Sequence, residues 1–128
     1  MILGIDYGTK RVGLALSDQS ETLAFPHSVV KNTKRLVDDI ARIREREGAN
    51  IIVLGHSTTL QGEDNPIQED IAAFKKVLEA RTGMPVVFER EWLSSQEAAR
   101  FTGEHGMLDA SAAAVILQRF LDRKRSQK

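Results

Sequence analysis

Ile2-Leu3-Gly4-Ile5-Asp6-Tyr7-Gly8-Thr9-Lys10-Arg11-Val12-Gly13-Leu14-Ala15-Leu16-Ser17-Asp18 is the stretch that decides the architecture. Residues 2–6 read as a short buried strand that stops at the turn-rich Tyr7-Gly8-Thr9-Lys10. Residues 11–18 resume as a second strand, with Val12, Leu14 and Leu16 alternating against Gly13, Ala15 and Ser17. A third strand is expected over about 22–30, where Pro26 weakens it or moves it to an edge because proline cannot donate to a ladder. Strands this close in sequence form an antiparallel meander.

Beyond the meander the hydrophobic period changes. Leu36, Ile40 and Ile43 recur at helical spacing, so an amphipathic helix is expected over roughly 33–47, ending at Gly48. Ile51-Ile52-Val53-Leu54 is apolar without alternation, as in a strand covered on both faces, and Gly55 through Asn65 reads as a polar loop. Pro66 suits a helix start; Ile67, Ile71, Phe74 and Leu78 form its stripe and Gly83 closes it. Pro85-Val86-Val87-Phe88 gives a fifth strand, Ser94 or Ser95 caps a short helix through about 102, and a last helix runs from about 108 to 124. Antiparallel strands followed by right-handed strand–helix–strand crossovers predict an α/β fold, a mixed five-stranded sheet with helices on both faces. No repeat, low-complexity tract or linker interrupts the chain, so residues 1–128 read as one domain.

Composition narrows the chemistry. The chain has no cysteine, which excludes disulfides, thiolate nucleophiles and cysteine-ligated zinc, and its three histidines, His27, His56 and His105, lack metal-ligand spacing. No apolar run approaches membrane-spanning length and no basic n-region precedes an apolar h-region, so the expected protein is cytoplasmic with no membrane partner. Eighteen basic residues balance eighteen acidic ones, so overall charge gives no argument for a nucleic-acid partner. Positive charge is local instead, at Lys31, Lys34 and Arg35 and in the tail Arg119, Arg123-Lys124-Arg125, Lys128, the tail being readable as a solvated helix end whose cations complement the dipole.

Carboxylates stand at the ends of three elements. Asp6 closes the first strand, Glu89 and Glu91 lie two apart at the end of the fifth, and Asp109 opens the last helix on or beside its inward stripe with Ala113, Ile116 and Phe120. Carboxylates gathered at one sheet edge repel one another unless a cation joins them, and hard divalent ions such as Mg2+ or Mn2+ take oxygen ligands. Two such ions about 3.5–4 Å apart serve phosphodiester hydrolysis. Ordinary structural readings stand beside this one: Asp6 in an Asx-type turn, Asp109 as an N-terminal helix acid, Glu89 and Glu91 as a charged strand edge.

Ile5-Asp6-Tyr7-Gly8-Thr9-Lys10-Arg11-Val12-Gly13-Leu14-Ala15-Leu16-Ser17-Asp18 resembles the signature of the YqgF/RuvX family almost residue for residue. Similarity continues through Ile52-Val53-Leu54-Gly55, through Gly62 and Pro66, through Glu91-Trp92-Leu93-Ser94-Ser95-Gln96-Glu97-Ala98, and through Asp109 to Leu117. The resemblance implies a ribonuclease-H-like fold and carries the family's metal-binding acids onto Asp6, Glu91 and Asp109, preferring Glu91 to Glu89. It also implies Mg2+ or Mn2+ as cofactor and structured RNA or branched DNA as partner, since members are described as Holliday junction resolvases and linked to processing of the 5′ end of pre-16S ribosomal RNA. A symmetric four-way junction favours a homodimer that places two sites on two strands, although no stretch of the sequence reads as a dimer interface.

The sequence also departs from the family pattern. His56-Ser57 replaces the usual leucine-proline pair, Trp92 stands for an arginine, Arg90 for an acid, and Thr102-Gly103-Glu104-His105-Gly106-Met107 carries no lysine or arginine where members are commonly basic. Lys10, Arg11, Arg90 and Arg100 are the candidates for replacing those phosphate contacts, and Trp92 for stacking on an unpaired base or for ordinary packing. His56, in its expected loop, reads as a proton-transfer residue or a structural one. The leading expectation is therefore a metal-dependent endonuclease, against a binding module that keeps the fold without cutting. A third reading, an actin-like or sugar-kinase-like nucleotide binder, draws on Asp6-Tyr7-Gly8-Thr9, but the chain supplies only one of the two lobes such proteins close.

Overall fold

The computed structural model describes the backbone of residues 1–8, 10–58, 67–92 and 108–126, and the side chains of 1–8, 10–55, 70–89 and 112–124. Its elements are β1 (Ile2–Asp6), β2 (Arg11–Ser17), β3 (Ala24–Lys31), α1 (Leu36–Glu47), β4 (Ile51–Thr58), α2 (Ile67–Thr82), β5 (Val86–Trp92) and α3 (Leu108–Ser126). The strands form one mixed sheet in the order β3-β2-β1-β4-β5. β1 pairs antiparallel with β2 and β2 with β3, whereas β1–β4 and β4–β5 are parallel. The mixed sheet with helices on both faces is as the sequence pattern indicated, and Pro26 does lie in an edge strand, next to a register irregularity at Leu14/Ala15.

Boundaries differ in an instructive way. β4 runs on to Thr58 and β5 to Trp92, so Gly55 through Thr58 is strand where a loop was expected, and Glu89 and Glu91 stand inside β5. The cause is mutual pairing, Gly55↔Glu89 through Thr58↔Trp92, which holds polar residues in extended structure that their own propensity does not demand. α1 starts at Leu36 because Thr33 to Arg35 form a turn, in which the Leu36 N–H donates to the Thr33 carbonyl. The helix expected over 94–102 lies outside the described residues. Among the described residues no helix is long and apolar enough to cross a membrane.

Each face of the sheet has its own core. Leu3, Ile5, Val12, Leu14, Ile52 and Leu54 face α1 and α2, packing against Leu36, Ile40, Ile71, Phe74 and Leu78. Ile2, Ala15, Ala24 and Val53 face α3, packing against Ala113, Ile116, Leu117 and Leu121. The second face is built from small residues because α3 lies directly on the sheet backbone. A Cβ on Gly4 would sit 2.8 Å from Leu117 Cβ and 3.3 Å from the Ala113 carbonyl oxygen, and one on Gly55 would sit 2.8 Å from Ile116 Cγ2.

Polar contacts fix the direction of α3. The Gln118 side-chain oxygen accepts the Ala24 N–H at 2.9 Å, its amide donates to the Thr22 carbonyl at 3.0 Å, and Lys124 Nζ donates to Glu21 at 2.8 Å. These partners lie in the β2–β3 turn or at the first residue of β3, beside the Met1 end of β1, and Glu21 there also lies 3.5 Å from the Met1 ammonium. Since Gly4 meets Ala113 and Leu117, the helix runs antiparallel to β1 and brings its first turn to the Asp6 end of the sheet.

Two outcomes follow. Gly55→Ala should cost about 1–3 kcal/mol in urea unfolding, because the added methyl overpacks the contact with Ile116. The Lys124 contact holds the Glu21 carboxyl below its ordinary value, so the interaction is present at neutral pH and is lost as pH falls through that depressed value. Glu21→Gln should therefore lower the urea midpoint at neutral pH and do so progressively less as the medium is acidified.

Candidate active site

Asp6 is the last residue of β1 and only 7% exposed. It faces α3 by the two-residue period that it shares with Ile2 and Gly4. The chain leaving it is pinned: the Tyr7 N–H donates to the Gly55 carbonyl at 3.0 Å, and the Tyr7 ring lies 5.0 Å from that of Phe74, tilted by 41°. The in-plane hydrogen bond and the ring contact on the α2 face together fix the backbone that carries Asp6.

The row of residues crossing the sheet at Asp6 is Gly13, Asp6, Gly55, Glu89. Glycine on each side of Asp6 leaves space above the sheet, and over Gly55 that space is taken by Ile116, with Cγ2 and Cδ1 at 2.8 and 3.2 Å from the position a Cβ would have. Ile116 thus stands between the Asp6 and Glu89 positions. Glu89 is 1% exposed and is gripped from below by Arg123, whose Nη1 donates to Oε2 at 2.9 Å while Nη2 donates to Oε1. The guanidinium also sits 5.8 Å over the Phe120 ring. A buried carboxylate matched by a bidentate guanidinium is structural in character.

This corrects two expectations. Glu89 is not a charged strand edge, because α3 covers it, and the tail cations are not simply a solvated helix end, because Arg123 and Lys124 are spent on Glu89 and Glu21. The signal was present in the sequence: Arg123 follows Ile116 and Phe120 on one helical stripe, and Glu89 shares β5's inward period with Val87. An ion pair between residues 34 apart in the chain is not legible without knowing which face α3 covers.

Glu91 lies two positions beyond Glu89 and opposite Ser57, so the strand period gives position 91 the same face as position 89, at the open end of β5. Asp109 stands in the first turn of α3, at the same end of the sheet as Asp6. The backbone therefore brings positions 6, 91 and 109 to one sheet end, while the side chains of Glu91 and Asp109 lie outside the described residues. So do those of Arg90 and Trp92, which pair in register with His56 and Thr58, and the whole of Arg100. His56 stands within β4, not in a loop. Lys10 and Arg11 are exposed at the start of β2, beside the Asp6 end.

Comparison with known proteins bears on the family and the fold. A family model described as "RuvX: Holliday junction resolvase" matches residues 1–123. A Maridesulfovibrio salexigens protein described as "Putative pre-16S rRNA nuclease" is 37% identical, covering 95% of this chain and 98% of the relative. A Nitratidesulfovibrio vulgaris protein of the same description is 35% identical over 98% of this chain and 96% of its own. Among solved structures, Thermus thermophilus RuvC in complex with Holliday junction substrate superposes with a TM-score of 0.64 at 15% identity, covering 97% of this chain and 95% of that one. The Fowlpox virus resolvase bound to Holliday junction DNA superposes at 0.57 with 16% identity over 96% and 97% of the two chains. At such identities the superpositions establish the ribonuclease-H-like fold.

The Glu89–Arg123 pair should respond asymmetrically to mutation. Arg123→Met leaves a carboxylate buried without its guanidinium and should cost about 1–3 kcal/mol, whereas Glu89→Gln leaves Arg123, 52% exposed, free to turn to water and should cost less. Urea unfolding of both variants measures the difference.

Proposed function

The chain belongs to the RuvX family, and from that premise we propose that it is a divalent-cation-dependent endonuclease acting on the 5′ region of precursor 16S ribosomal RNA. The observation that carries the reading is Asp6: a nearly buried carboxyl at the end of β1, on the sheet end where the last residues of β5 include Glu91 and the first turn of α3 includes Asp109. Relatives at 33–37% identity described as pre-16S rRNA nucleases support RNA; the description of the family model names the four-way junction instead, and the junction-bound structures, only 15–16% identical, bear on the fold alone.

The donor set suits the cofactor class. Three carboxylates and no cysteine form an oxygen-only site, which favours Mg2+ or Mn2+ over softer metals. Asp6, Glu91 and Asp109 would hold the cations, with positions 6 and 91 two strands apart, roughly 10 Å across the sheet, and position 109 in the first turn of α3. When bound, the cations supply an activated water and charge stabilisation for the leaving oxygen. The residues of the chain do the rest. The clamped β1 terminus fixes the backbone that carries the Asp6 carboxyl, Ile116 separates the Glu89–Arg123 pair from it, and Lys10 and Arg11 bind the phosphates of the strand to be cut. Arg90 and Arg100 add phosphate contacts, and Trp92 at the end of β5 stacks on an unpaired base.

Incubation of the chain with labelled precursor 16S RNA and a four-way junction, with Mg2+ or Mn2+, tests this. Cleavage of the RNA is expected, lost on chelation and reduced at least about a thousandfold by Asp6→Asn, equivalent to roughly 4 kcal/mol, with the circular dichroism spectrum unchanged. Cleavage of the junction alone would transfer the assignment to DNA. Failure to cut either substrate would make the chain a binding module.

A further inference from the structure

We propose that Asn32 is a positioning residue of the nuclease site, holding the segment that joins Asp6 to Lys10 and Arg11, an inference that rests on the nuclease reading above. The pairing of β1 with β2 ends at Asp6↔Gly13, whereas that of β2 with β3 runs two residues further, to Arg11↔Lys31. Tyr7, Gly8 and Lys10 therefore lie outside both ladders, between the acid at the end of β1 and the cation that opens β2.

Asn32 reaches this segment from the end of β3. Its N–H donates to the Lys10 carbonyl at 2.9 Å, one step past the last registered pair. Its side-chain Nδ2 donates to the Gly8 carbonyl at 2.7 Å, and this second bond belongs to no ladder. It joins residues 24 apart in the chain and ties the edge strand to the position two beyond Asp6. From the other side the Tyr7 N–H donates to the Gly55 carbonyl, so the segment is gripped from β3 and from β4 at once.

The bond needs an amide. A carbonyl oxygen only accepts, so the group facing Gly8 has to be a donor. Asn32 is half-buried between the exposed Lys31 and Thr33, and fixing its side chain costs conformational entropy. The turn is already closed without it, since a Cβ on Gly8 would overlap the Arg11 carbonyl oxygen. What the amide adds is a fixed relation between Asp6 and the two cations that follow it. Asp6 keeps its own place through its pairing with Gly13 and Gly55. Removing the amide thus leaves the acid where it is and loosens the backbone that presents Lys10 to the phosphate. Many phosphate contacts hold a long substrate, so misalignment at one of them lowers turnover more than affinity.

Cleavage of whichever substrate the parent cuts, precursor RNA or four-way junction, gives kcat and KM for each variant at a temperature where circular dichroism shows it folded. Asn32→Ala should lower kcat by about tenfold or more while KM and Mn2+ affinity stay near parental. Asn32→Asp keeps the size of the side chain but lacks the donor; its kcat should fall at least as far, and it carries the test if Asn32→Ala does not fold. Thr33→Ala removes the neighbouring hydroxyl, which accepts the Arg35 N–H at 3.2 Å, and should cut at the parental rate. Parental kcat in the folded Asn32 variants, an equal loss in Thr33→Ala, or a fall in Mn2+ affinity that matches the fall in kcat overturns the proposal. If the parent cuts and the Asn32 variants cut as fast, the positioning role fails and the nuclease reading stands. If the parent cuts neither substrate, both fall together.

Discussion

The structure depends on how closely α3 lies on the sheet. Gly4 and Gly55 remove the side chains that would keep a helix at ordinary distance, so Leu117 and Ile116 rest on the backbones of β1 and β4. That contact does three things at once. It fixes the tilt of the helix that carries Asp109, it fills the space between Asp6 and Glu89, and it closes the second core around Ile2, Val53 and Leu121. Interiors packed at crystal-like density transmit such constraints, since a shift of the helix would have to move the whole layer. The polar ends complete the registration, with Gln118 and Lys124 bonded to the β2–β3 turn at one end and Arg123 to Glu89 on the other edge of the sheet.

Charge follows the same division. Buried or half-buried carboxylates away from the site, Glu89 and Glu21, have dedicated cations. At the Asp6 end the backbone brings positions 6, 91 and 109, from three separate elements, to one end of the sheet, with Lys10 and Arg11 exposed beside it. Structural ion pairs settle their charges internally, whereas carboxylates assembled together have to be neutralised from outside. A neutral chain can therefore serve a polyanion, because the relevant quantity is where its charges stand and not their sum.

Much of this was legible in the sequence, for identifiable reasons. Alternation in residues 11–17, the helical recurrence of Leu36 and Ile40, and the apolar run at 51–54 each reflect a single period, so sheet and helices could be read without tertiary knowledge. Asp6 was legible because it ends such a run and because the residues after it match a family signature. The extension of β4 and β5 was not, since the strands prolong each other by pairing and neither segment looks like strand in isolation. Nor were the partners of Glu89 and Arg123, or the opposition of Arg11 and Lys31, because cross-element register is not encoded locally. The glycines at 4 and 55 were visible as residues but not as the seats of a helix.

The central claim is that Asp6, Glu91 and Asp109 together make one cation site. Titration of the folded protein with Mn2+, followed by the water-proton relaxation of the bound ion, tests it without reference to any substrate. Asp6→Asn, Glu91→Gln and Asp109→Asn should each weaken the same binding event by roughly tenfold or more, about 1.4 kcal/mol or above, while Glu89→Gln leaves it nearly unchanged. Parental Mn2+ affinity in any of the first three, or a loss in Glu89→Gln as large as theirs, would contradict the account.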